Sequence, residues 1–296
     1  MSRWKAAALV AAVLVVSAVA AGGMGAGVAT ALMRTVANDR PAPEPVVDES
    51  YVLPSDVLGE DREIQVHLPA DYAGAPESTY PLLVVLDGAG QSEHPAESAG
   101  LVARMGLGPQ TVVVGVENTT GTRDRVLTPP DLADDAQGDR FLAFLETELL
   151  SDLERRYRLA GPRLIAGHSR GGLFTTYVLA ERPDLFDGVF AFSPSSQVGS
   201  EAFLARLDRA LADLPVPERF YYTSLGDAEG LNIESGFERL VEALERSAPP
   251  SLRWRAERTA HAGHGATPRL ATPVALHAFW SGRAWAPADT ARSAAS

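Results

Sequence analysis

The sequence feature that most constrains the fold is the segment at residues 163–181, RLIAGHSRGGLFTTYVLAE. Its first residues form a short apolar run that predicts a buried strand, and its last ones have the apolar spacing of a helix. Between them lies GHSRG, the G-x-S-x-G pattern of a sharp turn from strand to helix. Such a turn strains the backbone of its central serine, exposes the hydroxyl, and offers helix N–H groups to a developing negative charge. A bare G-x-S-x-G pattern also occurs as an ordinary turn, but the flanking strand and helix favour Ser169 as a nucleophile.

Composition excludes several classes of function. The net charge of −12 is unfavourable for nucleic acid binding, because a phosphate backbone needs a basic surface. The chain has no cysteine, which excludes disulfide bonds, thiolate zinc sites and a cysteine nucleophile. A length of 296 residues with 46% hydrophobic content is enough for one large α/β domain with a sizeable core.

The N-terminal segment has the pattern of an export signal. Arg3 and Lys5 precede an uncharged, largely apolar run that extends to residue 33. We interpret residues 1–34 as a signal peptide or an N-terminal membrane anchor, two alternatives that the residues leave open. Either one predicts an exported protein, secreted or anchored at the outer face of the cytoplasmic membrane.

The predicted folded domain covers residues 62–286, between a Pro-rich linker at residues 35–61 and a disordered tail at residues 287–296. Strand patterns alternate with helix patterns from residue 81 onward, which predicts a mostly parallel sheet with helices on both faces. Besides the strand and helix around Ser169, strands are expected at residues 62–68, 81–86, 111–116, 188–192, 219–224 and 252–258, helices at residues 139–157, 201–214, 233–246 and 273–280, and loops at residues 91–108 and 119–139.

A serine nucleophile needs a base, and the base needs an acid that orients it. In parallel sheets such groups are expected beyond the carboxyl ends of the strands. Among the histidines after Ser169, His277 lies in the predicted closing helix, whereas His261 and His264 lie in the loop after the last strand. The His261-x-x-His264 spacing has no further ligand nearby, so we expect no metal.

The acid is expected after the penultimate strand, where LGDAEG at residues 225–230 supplies Asp227 and Glu229. Either carboxylate could orient the histidine, and either could simply cap the helix that follows. Glu238 is a third candidate but lies within that helix. The residues alone leave the choice open.

Six segments match a known family in order and spacing over about 200 residues. They are YPLLVVLDG (80–88), VVVGVENT (112–119), RDRVLTPP (123–130), FLAFLETELL (141–150), GHSRGGLFTTYVL (167–179) and HGATPRLATPVALHAF (264–279). The chain thereby resembles the "putative esterase" family, which includes the enterochelin (siderophore) esterases. More distantly it is similar to esterase D-like α/β hydrolases, among them S-formylglutathione hydrolases, and to feruloyl esterases and secreted mycolyltransferases. The resemblance implies an α/β-hydrolase fold.

The resemblance also implies the roles of the site residues. Ser169 would be the nucleophile and His264 the base. Glu229 would be the acid, with Asp227 as the alternative. No cofactor is implied.

The same resemblance implies that the backbone N–H groups of Ala89 and Arg170 stabilise the oxyanion. The first interpretation is an exported serine esterase that acts on a small-molecule, lipid or siderophore ester. The alternative is a cell-envelope acyltransferase with the same residues, in which a sugar or lipid hydroxyl replaces water. A non-catalytic binding module is a third class, but it would be expected to have lost one of these residues.

Arginines near the predicted turn at Ser169 suggest two further interpretations. Arg123 and Arg125 follow the third strand and are candidate substrate-binding residues for an anionic or catechol-like oxygen. The side chain of Arg170 could join them. Alternatively, Arg170 pairs with a nearby carboxylate such as Asp87 or Glu117 and only supports the turn.

Overall fold

The computed structural model describes residues 49–119, 121–212, 214 and 218–281. Within these residues an eight-stranded sheet has the order β1-β2-β4-β3-β5-β6-β7-β8. β1 and β2 are antiparallel to their neighbours, and the other six strands are parallel to one another. The prediction of a mostly parallel sheet is therefore confirmed. The strands are β1 (Glu49–Ser55), β2 (Glu60–His67), β3 (Tyr80–Leu86), β4 (Val112–Val116), β5 (Leu159–His168), β6 (Gly188–Phe192), β7 (Arg219–Gly226) and β8 (Leu252–Thr259).

Helices connect the parallel strands. They are α1 (Gly88–Gln91), α2 (Glu93–Arg104), α3 (Arg123–Val126), α4 (Gly138–Phe144), α5 (Leu150–Arg156), α6 (Arg170–Glu181), α7 (Glu201–Ala212), α8 (Leu231–Ser247) and α9 (Thr267–Trp280). A π-helical turn, Leu145–Leu149, joins α4 to α5. Short 3-10 turns lie at Pro130–Leu132 and Ser196–Gly199.

The sheet separates two hydrophobic cores. In β3, Leu82 and Val84 belong to the core formed with α4 to α8, whereas Leu83 and Val85 belong to the core formed with α2 and α9. Successive side chains of a strand point to opposite faces, so a strand with helices on both sides is apolar at every position. This explains the continuous apolar run at residues 81–86.

Helix α2 lies in residues 91–108, which the sequence predicts to be a loop. The prediction was wrong because the buried face of α2 carries little hydrophobic periodicity. That face consists of His94, Pro95, Ser98, Ala99 and Val102. The second predicted loop, residues 119–139, likewise contains α3 and a 3-10 turn.

The closing helix α9 begins at Thr267, earlier than the predicted start at residue 273. Pro268 lies in the first turn of α9, where backbone N–H groups have no acceptor within the helix, so a proline is tolerated there. Pro273 lies inside the helix. The predicted start at Pro273 is therefore corrected to Thr267.

Strand β1 and the turn after it lie in residues 49–61, which the sequence assigns to the linker at residues 35–61. β1 pairs with β2 and is held from the side by α5, because the Tyr51 hydroxyl donates to the buried Asp152 at 2.8 Å. The Ser55 hydroxyl donates to Glu148 in the π-helical turn. The linker prediction is thus corrected at its C-terminal end.

The predicted signal peptide or anchor at residues 1–34, the start of the linker and the tail at residues 287–296 lie outside the described residues. In the part of the chain that the structure describes, no helix is both long enough and apolar enough to cross a membrane.

We predict that Tyr51→Phe lowers the free energy of unfolding by about 1 kcal/mol, because the buried carboxylate of Asp152 loses one of its donors. Urea denaturation of the purified protein measures the change. Val52→Thr, at an exposed position of the same strand, is the matched control and should leave the unfolding free energy almost unchanged. Equal effects of the two substitutions would contradict the docking of β1 on α5.

Candidate active site

Ser169 lies at the turn between β5 and α6 with φ 58° and ψ −114°. A positive φ is unusual for serine and marks local strain. Gly167 approaches the backbone of Gly171 so closely that a Cβ atom on Gly167 would overlap it. The Ser169 carbonyl accepts the N–H groups of Leu173 and Ser195, each at 3.0 Å. The strand, turn and helix predicted from the sequence are all present.

His264 and Glu229 are in direct contact. The distance from His264 Nδ1 to Glu229 Oε2 is 2.7 Å. The other carboxylate oxygen, Oε1, accepts the Gly226 N–H at 2.7 Å, the Thr267 hydroxyl at 3.0 Å, and the Ser193 hydroxyl. The Glu229 side chain is 1% exposed, so these donors replace water around it.

These hydrogen bonds keep Glu229 ionised. Burial raises the pKa of the carboxyl, but the donors from His264, Ser193, Gly226 and Thr267 outweigh burial and lower the pKa to about 2. An ionised carboxylate at Nδ1 favours the histidine tautomer with its hydrogen on Nδ1. Nε2 is then the basic nitrogen of His264.

Asp227, the alternative acid, has different partners. Its carboxylate accepts the backbone N–H groups of His261 at 2.9 Å and of Ala262 at 3.2 Å. These bonds hold the loop between β8 and α9, where His261 is exposed and has φ 58°. The structure thus brings Glu229, and not Asp227, to His264. Among the described residues no three histidine or carboxylate side chains converge as metal ligands.

The two predicted oxyanion donors lie at the starts of helices. Ala89 is in the first turn of α1, and Arg170 is the first residue of α6. N–H groups in the first turn of a helix have no intrahelical partner, so they can bind an anion. Their positions agree with the predicted role, which stays a prediction.

Arg123 has a protein partner in the structure. Its Nε lies 2.5 Å from Asp87 Oδ1 and its Nη2 2.7 Å from Asp87 Oδ2, a two-pronged ion pair. Asn118 also donates to Asp87, and Nη2 contacts the His168 carbonyl at 3.4 Å. Arg123 thus links the turn before α1 to the end of β5. The ion pair with Asp87 explains the position of Arg123 without a substrate. The predicted role of Arg123 in substrate binding stays a prediction.

The other two arginines are less constrained. Arg170 Nε lies 3.7 Å from Asp124 Oδ1, a carboxylate that the sequence did not suggest as its partner. Arg125 Nε is buried without a hydrogen-bond partner in the described part of the chain. The predicted role of Arg125 in substrate binding stays a prediction.

The sequence pattern did not predict a role for two further histidines with lowered pKa values, of which His168 lies beside His264. The ring of His168, the residue before Ser169, is 4.4 Å from the ring of His264 between centroids. Burial and the charge of His264 lower the pKa of His168 to about 4. Burial, with smaller effects of Arg269 and His168, lowers the pKa of His94 to about 3. Position within GHSRG could have drawn attention to His168; the sequence gives no such indication for His94.

We predict that His94 makes the free energy of unfolding fall as the pH is lowered from 7 to 5. An unfolded histidine takes up a proton near pH 6.5, whereas His94 stays neutral until about pH 3, so stability is lost as the pH falls. By pH 5 this linkage amounts to about 2 kcal/mol. Between pH 7 and pH 5, the unfolding free energy of the wild type should therefore fall by about 2 kcal/mol more than that of His94→Gln. Urea denaturation at the two pH values measures the difference.

His261→Gln, at an exposed position, is the control and should keep the wild-type pH dependence. Glu229 does not interfere, because its lowered pKa affects stability only below about pH 4.5. The same loss in His94→Gln as in the wild type would contradict the prediction.

Comparison with known proteins identifies the family. The family model described as "Putative esterase" matches residues 55–294. Ferri-bacillibactin esterase BesA of Bacillus subtilis (strain 168) is 26% identical over an alignment of 171 residues that covers 50% of this chain and 59% of that protein. The chain thus spans about three fifths of the length of this curated relative.

Solved structures share the fold at low identity. An IroE-like serine hydrolase from Shewanella oneidensis has a TM-score of 0.72 and 23% identity, over 80% of this chain and 81% of that one. Siderophore hydrolase EstB from Aspergillus nidulans has a TM-score of 0.66 and 19% identity, over 79% and 95%. These similarities confirm the hydrolase fold. Because the family model matches most of its length, the chain belongs to the "Putative esterase" family.

Proposed function

We propose that this protein is an exported serine esterase that hydrolyses a carboxylic ester of the siderophore type. The contact between His264 and an ionised Glu229, beside the strained turn of Ser169, is the observation that carries the proposal. Family membership supports the reaction class, and the relative named a ferri-bacillibactin esterase supports the substrate class.

In the first half of the reaction, Ser169 Oγ attacks the ester carbonyl carbon while His264 Nε2 takes the hydroxyl proton. The carbonyl oxygen becomes an oxyanion, which the N–H groups of Ala89 and Arg170 stabilise. The bond to the alcohol oxygen then breaks, and His264 gives its proton to the leaving alkoxide. The acyl group stays on Ser169.

In the second half, water replaces the alcohol. His264 takes a proton from the water, which attacks the acyl carbon, and the proton then returns to Ser169 Oγ as the carboxylic acid leaves. Throughout, Glu229 accepts the Nδ1–H and stabilises the positive charge on the imidazolium. This cycle requires no cofactor.

The substrate class is supported by charge as well as by relatives. Among the described residues, the buried Arg125 Nε has no hydrogen-bond partner, and Arg170 Nε contacts the exposed carboxylate of Asp124 at 3.7 Å, so both side chains suit an anionic or catechol-like oxygen. The acyltransferase alternative gains no support from the relatives named above, which are called esterases or hydrolases. A panel of siderophore, aryl and lipid esters, assayed for hydrolysis and for transfer, tests the substrate class.

Export and possible membrane attachment belong to the same proposal. They are supported by Arg3 and Lys5 before the apolar run of residues 6–33. In cells that express the full chain, detection of the protein in the culture medium or in the membrane fraction distinguishes secretion from anchoring, and a cytoplasmic protein would contradict both.

We predict different losses within two matched pairs of variants, measured as kcat/KM for nitrophenyl acetate. His264→Ala should lose at least about ten-thousand-fold, because it removes the base, whereas His261→Ala should stay within about twofold. Glu229→Gln should lose about a thousand- to ten-thousand-fold, because the amide can no longer stabilise the imidazolium. Asp227→Asn should lose less than about tenfold, since Asp227 accepts the backbone N–H groups of His261 and Ala262 and does not contact His264 in the described structure.

Thermal unfolding of all four variants is the control for folding. A larger loss in His261→Ala than in His264→Ala would reverse the choice of base. A larger loss in Asp227→Asn than in Glu229→Gln would move the acid, and full activity in both members of a pair would remove that pair from the mechanism.

A further inference from the structure

Within the part of the chain that the structure describes, the ring of His264 makes one side-chain hydrogen bond. Glu229 holds Nδ1, but the neighbours of His264 in the chain are Gly263 and Gly265, and the side chain is 38% exposed. A ring held through one nitrogen can still swing about that hydrogen bond. A second contact on the ring is needed to fix the direction of Nε2, and the ring of His168 supplies one at 4.4 Å and a tilt of 45°.

We propose that His168 is a positioning residue that holds the His264 ring in its working orientation. The proposal rests on the proposed function, in which His264 is the base. It concerns the direction of the imidazole ring and not a contact with the substrate.

The backbone of His168 is well fixed. It is the last residue of β5 and pairs with Phe192 of the neighbouring strand β6. Its carbonyl contacts Arg123 Nη2 at 3.4 Å, which ties it to the ion pair with Asp87. The ring of His168 therefore projects from the rigid sheet, whereas His264 lies on a loop.

The support requires a neutral His168, because an imidazolium there would repel the charge that His264 gains during the reaction. Burial and the charge of His264 lower the pKa of His168, whereas a hydrogen bond with the His264 backbone and the carboxylates of Asp87 and Glu229 raise it. The effect of burial is larger, so the pKa of His168 is lowered to about 4. His168 is thus neutral at neutral pH.

The polar ring of His168 has an energetic cost. Its Nε2 atom is buried without a hydrogen-bond partner among the described residues. An apolar side chain would fill this space without the cost of burying unpaired nitrogen. Such a cost beside the base indicates that the imidazole ring serves function rather than stability.

The test compares His168→Leu, which removes the ring, with His168→Phe, which keeps a flat ring. The full chain is used, and kcat and KM are measured with nitrophenyl acetate. Proton NMR records the Nδ1–H of His264 in its bond to Glu229, a downfield signal assigned by its absence in His264→Gln. His261→Leu, which removes an exposed imidazole, is the control.

We expect His168→Leu to lower kcat about 10- to 100-fold with KM within twofold, and to broaden or remove the Nδ1–H signal. His168→Phe should recover kcat to within about threefold of the wild type and restore the signal. His261→Leu should change neither.

An unchanged kcat with a sharp signal in His168→Leu overturns the proposal. So does a loss of kcat that only follows a loss of folded protein in thermal unfolding. Should the wild type hydrolyse no ester, the proposed function fails, and the NMR signal alone then decides whether His168 orients His264.

Discussion

The turn at Ser169 is the constraint on which the rest of the site depends. β5 can pass directly into α6 only because Gly167 and Gly171 allow their backbones to touch. The positive φ of Ser169 is unfavourable, and such strain persists only where the surroundings hold it. Here two N–H groups bind the Ser169 carbonyl, and the buried strands β3 and β6 flank β5. The serine is thereby fixed at the carboxyl edge of the sheet, where the loops after β3, β7 and β8 also lie.

Two carboxylates organise those loops, each by a different kind of partner. Asp87 is held by the guanidinium of Arg123, so its charge is neutralised and its effect is to fix the turn before α1. Glu229 is held by neutral hydroxyl and backbone donors besides His264. The negative charge of Glu229 is therefore not neutralised by an arginine and can stabilise His264 when its imidazole accepts a proton. A carboxylate therefore supports the fold in the loop after β3 and the proposed chemistry in the loop after β7.

The sequence predicted those parts of the site that depend on local pattern. The parallel sheet was predicted from alternating strand and helix patterns. The sharp turn at Ser169 was predicted from the five residues GHSRG. The choice between Glu229 and Asp227 could not be made from their positions, two residues apart in one loop. It depends on Ser193 and Thr267, which are distant in sequence and orient Glu229. The pairing of Arg123 with Asp87 spans 36 residues and could not be predicted either. Helix α2 was missed because its buried face is rich in polar and small residues.

The proposed mechanism requires a covalent intermediate on Ser169, and peptide mass spectrometry of a quenched reaction tests this most directly. The protein is mixed with excess nitrophenyl acetate, quenched in acid within the first turnover, digested and analysed. We expect one acetyl group per chain, on the peptide that contains Ser169, and none when Ser169 is replaced by alanine. Turnover without any acylated peptide, or an acyl group on another residue of a catalytically competent protein, would contradict it.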